Sequence, residues 1–471
     1  MIPLILILAL GLRLVALNQS LWLDEAIGAE AVKNFSFWGI ISEFSKFDNH
    51  PPLYYLILKL WTDLSGYSEI SLRIPSIIIG LGTIYLTFLI AKHLAPKGKP
   101  FYILAPLLLA TSGLHIYYSQ EARMYSLAAF LAALAVYSFL KPRWALFSLS
   151  IAALLLTDYV PVFLLPVFWL WGILNKRGKA WWRAFVLSHS LPLVLGILWA
   201  PTFFLQSAHG KWLLSTLPAW RDIAGGANLK QAALVWVKFV LGRISFRDKI
   251  FYYSAAAISS IPFILSLLAT FKKRKEMEFV WLWLVVPLVL GFVASFWFPA
   301  FIYFRFLYVL PAFYILLSWG IWVIKNQSLK IALAALIILV NLGGWFLYVR
   351  DPSQQRERWR QAVAFVEERA KEDELVLFEY PEPFTPWRWY ETGKVKAFGA
   401  TDAILGNFEK TRERTKSLVE KAQGVYYFEY LRDLSDPQRS LEEALGGEGF
   451  IAKEIYDYFP GVGQITYYAK D

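Results

Sequence analysis

The sequence predicts a polytopic α-helical membrane protein of about eleven transmembrane helices with a small C-terminal α/β domain. Three observations predict it. Of 471 residues, 57% are hydrophobic and 17% aromatic, too many for an ordinary soluble chain. The apolar residues gather in runs close to the roughly 20 that a bilayer core requires of a helix. The charge is also divided: residues 1–349 carry 29 basic and 13 acidic side chains, net +16, and residues 350–471 carry 18 and 23, net −5. The chain therefore reads as two bodies, a membrane domain over 1–349 and a soluble domain over 350–471.

The apolar runs fall at 2–17, 72–91, 101–118, 125–140, 184–205, 250–270, 278–297, 303–324 and 329–349. Trp144 to Leu174 adds two shorter runs split at Thr157-Asp158-Tyr159. Between them lie basic clusters: Lys92, His93, Lys97 and Lys99; Lys141 and Arg143; Lys176, Arg177, Lys179 and Arg183; Lys272, Lys273, Arg274 and Lys275; Lys325 and Lys330. Short loops rich in Lys and Arg stay in the cytoplasm, and every second loop fits. The protein is thus expected in the cell (inner) membrane with its N-terminus in the cytoplasm. Loops 18–71, 119–124, 157–159, 206–249 and 298–302 and the tail are expected outside. Leu53 to Leu64 is too short to span and reads as a helix lying on or dipping into the outer leaflet, with Leu229 to Phe246 a second of that kind. In the tail, Trp359, Val363, Phe365 and Val366 give helical spacing within Arg356 to Ala370, and Leu375 to Phe378 reads as a buried strand. Strands at 424–430 and 463–468 and helices at 408–422 and 440–446 complete it.

A net charge of +11 raises nucleic acid as a partner, but the basic residues sit between apolar runs as membrane loops do, so that class is discounted. With no Cys there is no disulfide framework, thiolate metal site or cysteine nucleophile. The chain has no HExxH zinc motif, GxSxG elbow or Walker loop, so several hydrolase and ATP-driven classes lose support and no nucleotide cofactor is expected.

Four polar constellations remain, all on the outer face. Leu21-Trp22-Leu23-Asp24-Glu25 sets two acids just after the first span, able to serve as a general base with a supporting acid, or as a plain loop start or helix cap. Phe47-Asp48-Asn49-His50-Pro51-Pro52-Leu53-Tyr54-Tyr55 places a carboxylate, an amide and an imidazole before a rigid Pro-Pro; its alternative is a simple helix start with a solvated His50. Ser119-Gln120-Glu121-Ala122-Arg123 puts ionisable groups near headgroup depth, for function or for a mutual ion pair. Phe304-Arg305-Phe306 sets an Arg among aromatics, for phosphate recognition or for snorkelling. Asp158 is a lesser candidate of the same type.

In these motifs the chain resembles the GT-C superfamily of polyprenyl-phosphate-sugar glycosyltransferases, especially the protein O-mannosyltransferase and aminoarabinose transferase group. The matching runs are Asp24-Glu25, Asp48-Asn49-His50-Pro51-Pro52-Leu53, Glu69-Ile70-Ser71-Leu72-Arg73-Ile74-Pro75-Ser76, Ser119-Gln120-Glu121-Ala122-Arg123 and Arg305-Phe306-Leu307-Tyr308-Val309-Leu310-Pro311, in order and spacing. They cover about the first 125 residues strongly and the later spans weakly. The resemblance implies inverting transfer of a sugar from a polyprenyl-phosphate donor to a lipid, glycan or protein acceptor at the extracytoplasmic face. It implies Asp24 as the catalytic carboxylate supported by Glu25, with Arg123, Arg305 and His50 as candidates for the donor phosphate. Asp48, Glu121, Tyr54 and Asp158 are candidates for substrate or metal, and a divalent ion (Mg, Mn or Zn) on Asp24, Asp48 or Glu121 could share the charge. Relatives carry Glu-Lys-Pro where this chain has Asn49-His50-Pro51, which leaves the sugar open. A transporter or flippase of polyprenyl-linked sugars is the alternative; it predicts repeats and broken mid-membrane helices, whereas the polar residues here gather at one interface.

Overall fold

The computed structural model describes residues 1–96 and 101–470; Lys97 and Lys99 lie outside the described residues. The chain forms two compact units, one of Met1–Leu17, Phe35–His209 and Asp222–Arg350, the other of Asn18–Asn34, Gly210–Arg221 and Asp351–Asp471. Residues 18–34, expected with the membrane body, instead cluster with the tail, to which they are hydrogen-bonded: Ser20 Oγ donates to the Glu357 carbonyl, Arg356 N–H to Gln19 Oε1 and Leu21 N–H to Tyr390 Oη.

The first unit is helical and belongs to a membrane protein. Among the described residues, five helical segments are long and apolar enough to cross a bilayer: Glu69–Leu94, Lys179–Thr216, Lys249–Ala294, Tyr303–Val323 and Gln327–Arg350. A sixth forms if Phe101–Thr111 and Gly113–Ser119, bent by 61° at Ser112, are one span. Four shorter apolar helices accompany them: Ile2–Leu14, Tyr125–Leu140, Trp144–Leu155 and Val160–Leu174. Lys249–Ala294 has 46 residues, about twice what one crossing uses. It breaks at the basic run, where Phe271–Met277 is a 3₁₀ stretch and Lys273 leaves helical geometry. Leu53–Ser65 and Leu229–Leu241 are the two short amphipathic helices expected outside the spans.

Close approach of backbones holds this unit together, as small residues permit where lipid removes the hydrophobic drive. A Cβ on Gly320 would stand 1.7 Å from the Ser266 carbonyl oxygen, so Lys249–Thr270 and Leu310–Val323 touch only because Gly320 is bare. Buried polar groups fix the helix ends. Gln120 Nε2 donates to the Arg13 and Val15 carbonyls at 2.7 Å each, closing the C-terminus of Ile2–Leu14. Arg73 donates to the Leu17 carbonyl at 2.7 Å, and Arg13 donates to Ala9 and Ala110 carbonyls and to His115 Nδ1.

The second unit contains a five-stranded sheet of β1 (Glu374–Phe378), β2 (Lys396–Gly399), β3 (Gly424–Phe428), β4 (Phe450–Tyr456) and β5 (Ile465–Lys470), ordered β2-β1-β3-β5-β4. β1 pairs in parallel with β2 and β3; β5 pairs antiparallel with β3 and β4. β1 and β3 are buried at every residue, the continuous apolar run of a strand covered on both faces. Val376, Phe378, Tyr426 and Phe428 face a core with Trp359, Val363, Val366 and Trp387. Leu375, Leu377, Val425 and Tyr427 face another with Val419, Leu441 and Leu445. The helices Trp359–Arg369, Phe408–Val419 and Ser440–Gly447 lie where the pattern predicts.

Candidate active site

In the first unit, Pro51-Pro52 delivers the chain into Leu53–Ser65, and Leu53 N–H bonds the Leu156 carbonyl at 3.0 Å. Gln206 ties the same loop down, donating to the Ser45 and His50 carbonyls at 2.5 and 3.1 Å. This brings Asp48, His50, Tyr55 and Arg123 together. Arg123, 3% exposed, donates to Tyr55 Oη at 2.9 Å. His50 Nδ1 lies 3.3 Å from Asp48 Oδ2 and 3.5 Å from Arg123 Nη2. One nitrogen cannot donate to the first and accept from the second, so we assign its proton to the shorter, charge-compensated contact. Burial pushes the Asp48 carboxyl up, but the charges of His50 and Arg123 and hydrogen bonds from His50 and Tyr55 prevail and hold it below the usual range.

Glu121, 2% exposed, belongs to a second cluster on the same turn, within electrostatic reach of Tyr118 and Arg243. The Arg243 guanidinium lies over the Tyr117 ring at 5.2 Å. The 3₁₀ stretch Tyr303–Val309 packs on this turn through Phe304, whose ring centroid is 5.9 Å from that of Tyr118 and 5.0 Å from that of Tyr125. Arg305 is half-buried there, and its guanidinium has no hydrogen-bond or ion-pair partner among the described residues.

Two candidates in this unit serve the fold. Tyr54 is fully buried and its hydroxyl meets Ser76 Oγ at 3.1 Å; on a helix the next residue points about 100° away, and Tyr55 reaches the cluster instead. Asp158 Oδ1 accepts Val160 N–H at 3.0 Å, an Asx turn that leads into Val160–Leu164.

In the second unit, Asp24 and Glu25 occupy the first turn of Leu23–Asn34, where the helix dipole favours acids. Glu25 is fully buried and its Oε2 lies 3.4 Å from Arg356 Nε. Leu23 N–H donates to Glu357 Oε2 at 3.3 Å, which also accepts Trp359 Nε1–H at 2.7 Å, while Tyr430 donates to Oε1 at 2.9 Å. Burial drives the Glu357 carboxyl up to about 7, against the pull of the three hydrogen bonds and with the help of the Asp24 charge. Asp24 itself is half-buried.

Among the described residues no three His, Asp or Glu side chains stand together as a divalent ion would need, and Asp48 is already compensated by His50 and Arg123. Residues 356–357, Tyr55, Arg243 and Tyr430 are the additions of the structure. Of these, Tyr55 and Arg243 had a legible signal, a polar tip beside Pro-Pro and a basic residue in an outer loop.

No protein-family model and no curated protein matches the sequence. Solved structures match over nearly its whole length. ArnT from Cupriavidus metallidurans in the apo state aligns with 99% of this chain and 97% of its own at 10% identity and a TM-score of 0.57. The same protein bound to undecaprenyl phosphate aligns over the same shares at 11% identity and 0.59. The chain has the ArnT fold. The Saccharomyces cerevisiae protein O-mannosyltransferase Pmt1–Pmt2 complex bound to the sugar donor aligns with 44% of this chain and 33% of its own at 16% identity and 0.35, too partial to weigh.

Proposed function

We propose that the protein is an inverting glycosyltransferase of the GT-C type, moving a sugar from a polyprenyl-phosphate donor to a lipid, glycan or protein acceptor at the extracytoplasmic face of the inner membrane. The observation that carries this reading is the full-length likeness to a fold crystallised with undecaprenyl phosphate. The reading of eleven spans, with the N-terminus in the cytoplasm and the tail outside, rests on the apolar runs and the charge pattern of the sequence.

In this reading the acceptor hydroxyl attacks the anomeric carbon in one displacement. Asp24 takes the hydroxyl proton, the new glycosidic C–O bond forms, and the bond to the phosphate oxygen breaks with its electron pair. The polyprenyl phosphate leaves carrying that charge, so fixed cations lower the barrier. Arg123, preset by Tyr55, and Arg305, whose donors are uncommitted, are suited to it, with His50 as a further hydrogen-bond donor and Arg243 as a further positive group. Asp48 keeps His50 oriented, and Glu25, buried against Arg356, anchors the helix that carries Asp24.

The test is transfer of radiolabelled sugar from a panel of polyprenyl-phosphate sugars to a membrane extract by the purified protein and by Asp24→Asn. Transfer by the unsubstituted chain that drops about a thousandfold or more in Asp24→Asn supports the reading. Donor bound by both forms but transferred by neither would reject it in favour of lipid translocation.

A further inference from the structure

Resting on the reading of Asp24 as the base, we infer that Glu357 is its positioning residue, a cap supplied by the tail to the helix that bears Asp24. The first N–H groups of a helix lack partners within it and are usually met by a Ser, Thr, Asn or Asp just before the first turn. Here that place is held by Trp22, which has no side-chain oxygen. The carboxylate of Glu357, 334 residues later, takes the first helical N–H instead.

The surroundings of Glu357 are built for that task. Tyr430 and Trp359 hold its two oxygens, so the acceptor has one orientation. Ser20 Oγ donates to the Glu357 carbonyl at 2.8 Å and Leu21 N–H to Tyr390 Oη at 2.8 Å, fixing the approach to the helix residue by residue. Gly461 has φ +84° and a Cβ there would come within 2.6 Å of Glu357 Cγ, so a bare left-handed residue makes room for this side chain. A carboxylate one residue from the capped N–H inherits its position from that bond. Misplacement of a base by an ångström costs about a hundredfold in rate.

The experiment compares the full-length protein with Glu357→Ala, Glu357→Gln and Tyr430→Phe, reading amide hydrogen exchange over residues 21–27 and kcat and KM for the donor found in the transfer panel. Glu357→Ala is expected to speed exchange in that segment and lower kcat, each by about tenfold or more, with donor KM within about twofold. Gln keeps an oxygen for Leu23 N–H and is expected to restore both to within about threefold. If Ala unfolds the tail, Tyr430→Phe, which frees the carboxylate without removing it, is expected to give the same local loss on a smaller scale. Unchanged exchange in Ala and Phe, or kcat and KM falling off together in Ala and Gln alike, overturns the assignment. Exchange that responds as expected while the unsubstituted chain moves no sugar upholds the cap and rejects the glycosyltransfer reading.

Discussion

The buried pair Glu25–Arg356 offers a test of what joins residues 18–34 to the tail. Both side chains are almost wholly removed from water, 0% and 1% exposed, with 3.4 Å between Oε2 and Nε. At an effective dielectric of about 20, their attraction is on the order of 5 kcal/mol. That gain is largely offset by desolvation while both are present, but removing one partner leaves the other charge buried and uncompensated, at a cost of roughly 3–5 kcal/mol. For a unit of this size, each kcal/mol shifts a melting midpoint by about 2–4 °C, so Glu25→Gln is expected to lower it by roughly 10 °C. Glu25→Met with Arg356→Met removes both charges at similar volume and is expected to return to within about 1 kcal/mol of the parent. The assay is thermal unfolding, in one detergent, of the parent, Glu25→Met, Arg356→Met and the double Met variant as the cycle, with Glu25→Gln beside them. A Glu25→Gln shift below about 1 kcal/mol, or single effects that simply add in the double variant, would refute the argument that the pair acts as one buried unit.

Other outcomes follow from the same physics. Glu379 is fully buried, and burial raises its carboxyl to about 9 although Tyr427 donates a hydrogen bond to it. The folded state therefore keeps a proton that the unfolded chain loses near its ordinary value. The Glu379 contribution to the stability of the second unit should be constant below about pH 4.5 and decline by about 1.4 kcal/mol per unit up to about pH 9; Glu379→Gln should flatten melting scans between about pH 7 and 9 and leave below that the decline that Glu357, raised to about 7, contributes by the same linkage. Arg123→Ala should cut transfer by about a hundredfold or more, and Tyr55→Phe by about tenfold or less, since the phenol only steadies the guanidinium; steady-state rates on the preferred donor decide. Gly320→Ala must push apart a pair of helices now held at carbonyl contact and should cost at least about 1–3 kcal/mol in detergent unfolding, whereas Gly343→Ala, which meets nothing within 4 Å, should be neutral or stabilising.

The candidate site was legible where chemistry is local. Ionisable residues in nearly loopless turns between apolar runs are costly, and Asp48, His50, Glu121 and Arg123 do meet charged or phenolic partners. What escaped depended on rotation or on distant chain. Tyr54 and Tyr55 are alike in sequence, and only the phase of Leu53–Ser65 turns the second to Arg123. β2 and β4 were missed because edge strands carry little apolar signal: Lys396–Gly399 is four residues, and β4 is buried only at its two ends. Asp158 turns one carboxylate oxygen to the Val160 N–H, a local Asx bond that its sequence setting does not distinguish from a ligand's.

By itself the sequence determined the apolar helices and the buried strands β1 and β3, because hydrophobic periodicity acts on each segment without reference to the rest. It could not decide where Asn18–Asn34 belongs. Chain order sets those residues beside the first helix, yet orphan N–H groups at a helix start and a carboxylate in a dry setting seek partners wherever the fold provides them. Arg356, Glu357 and Tyr430 provide them from more than three hundred residues away, and only tertiary structure could bring them there.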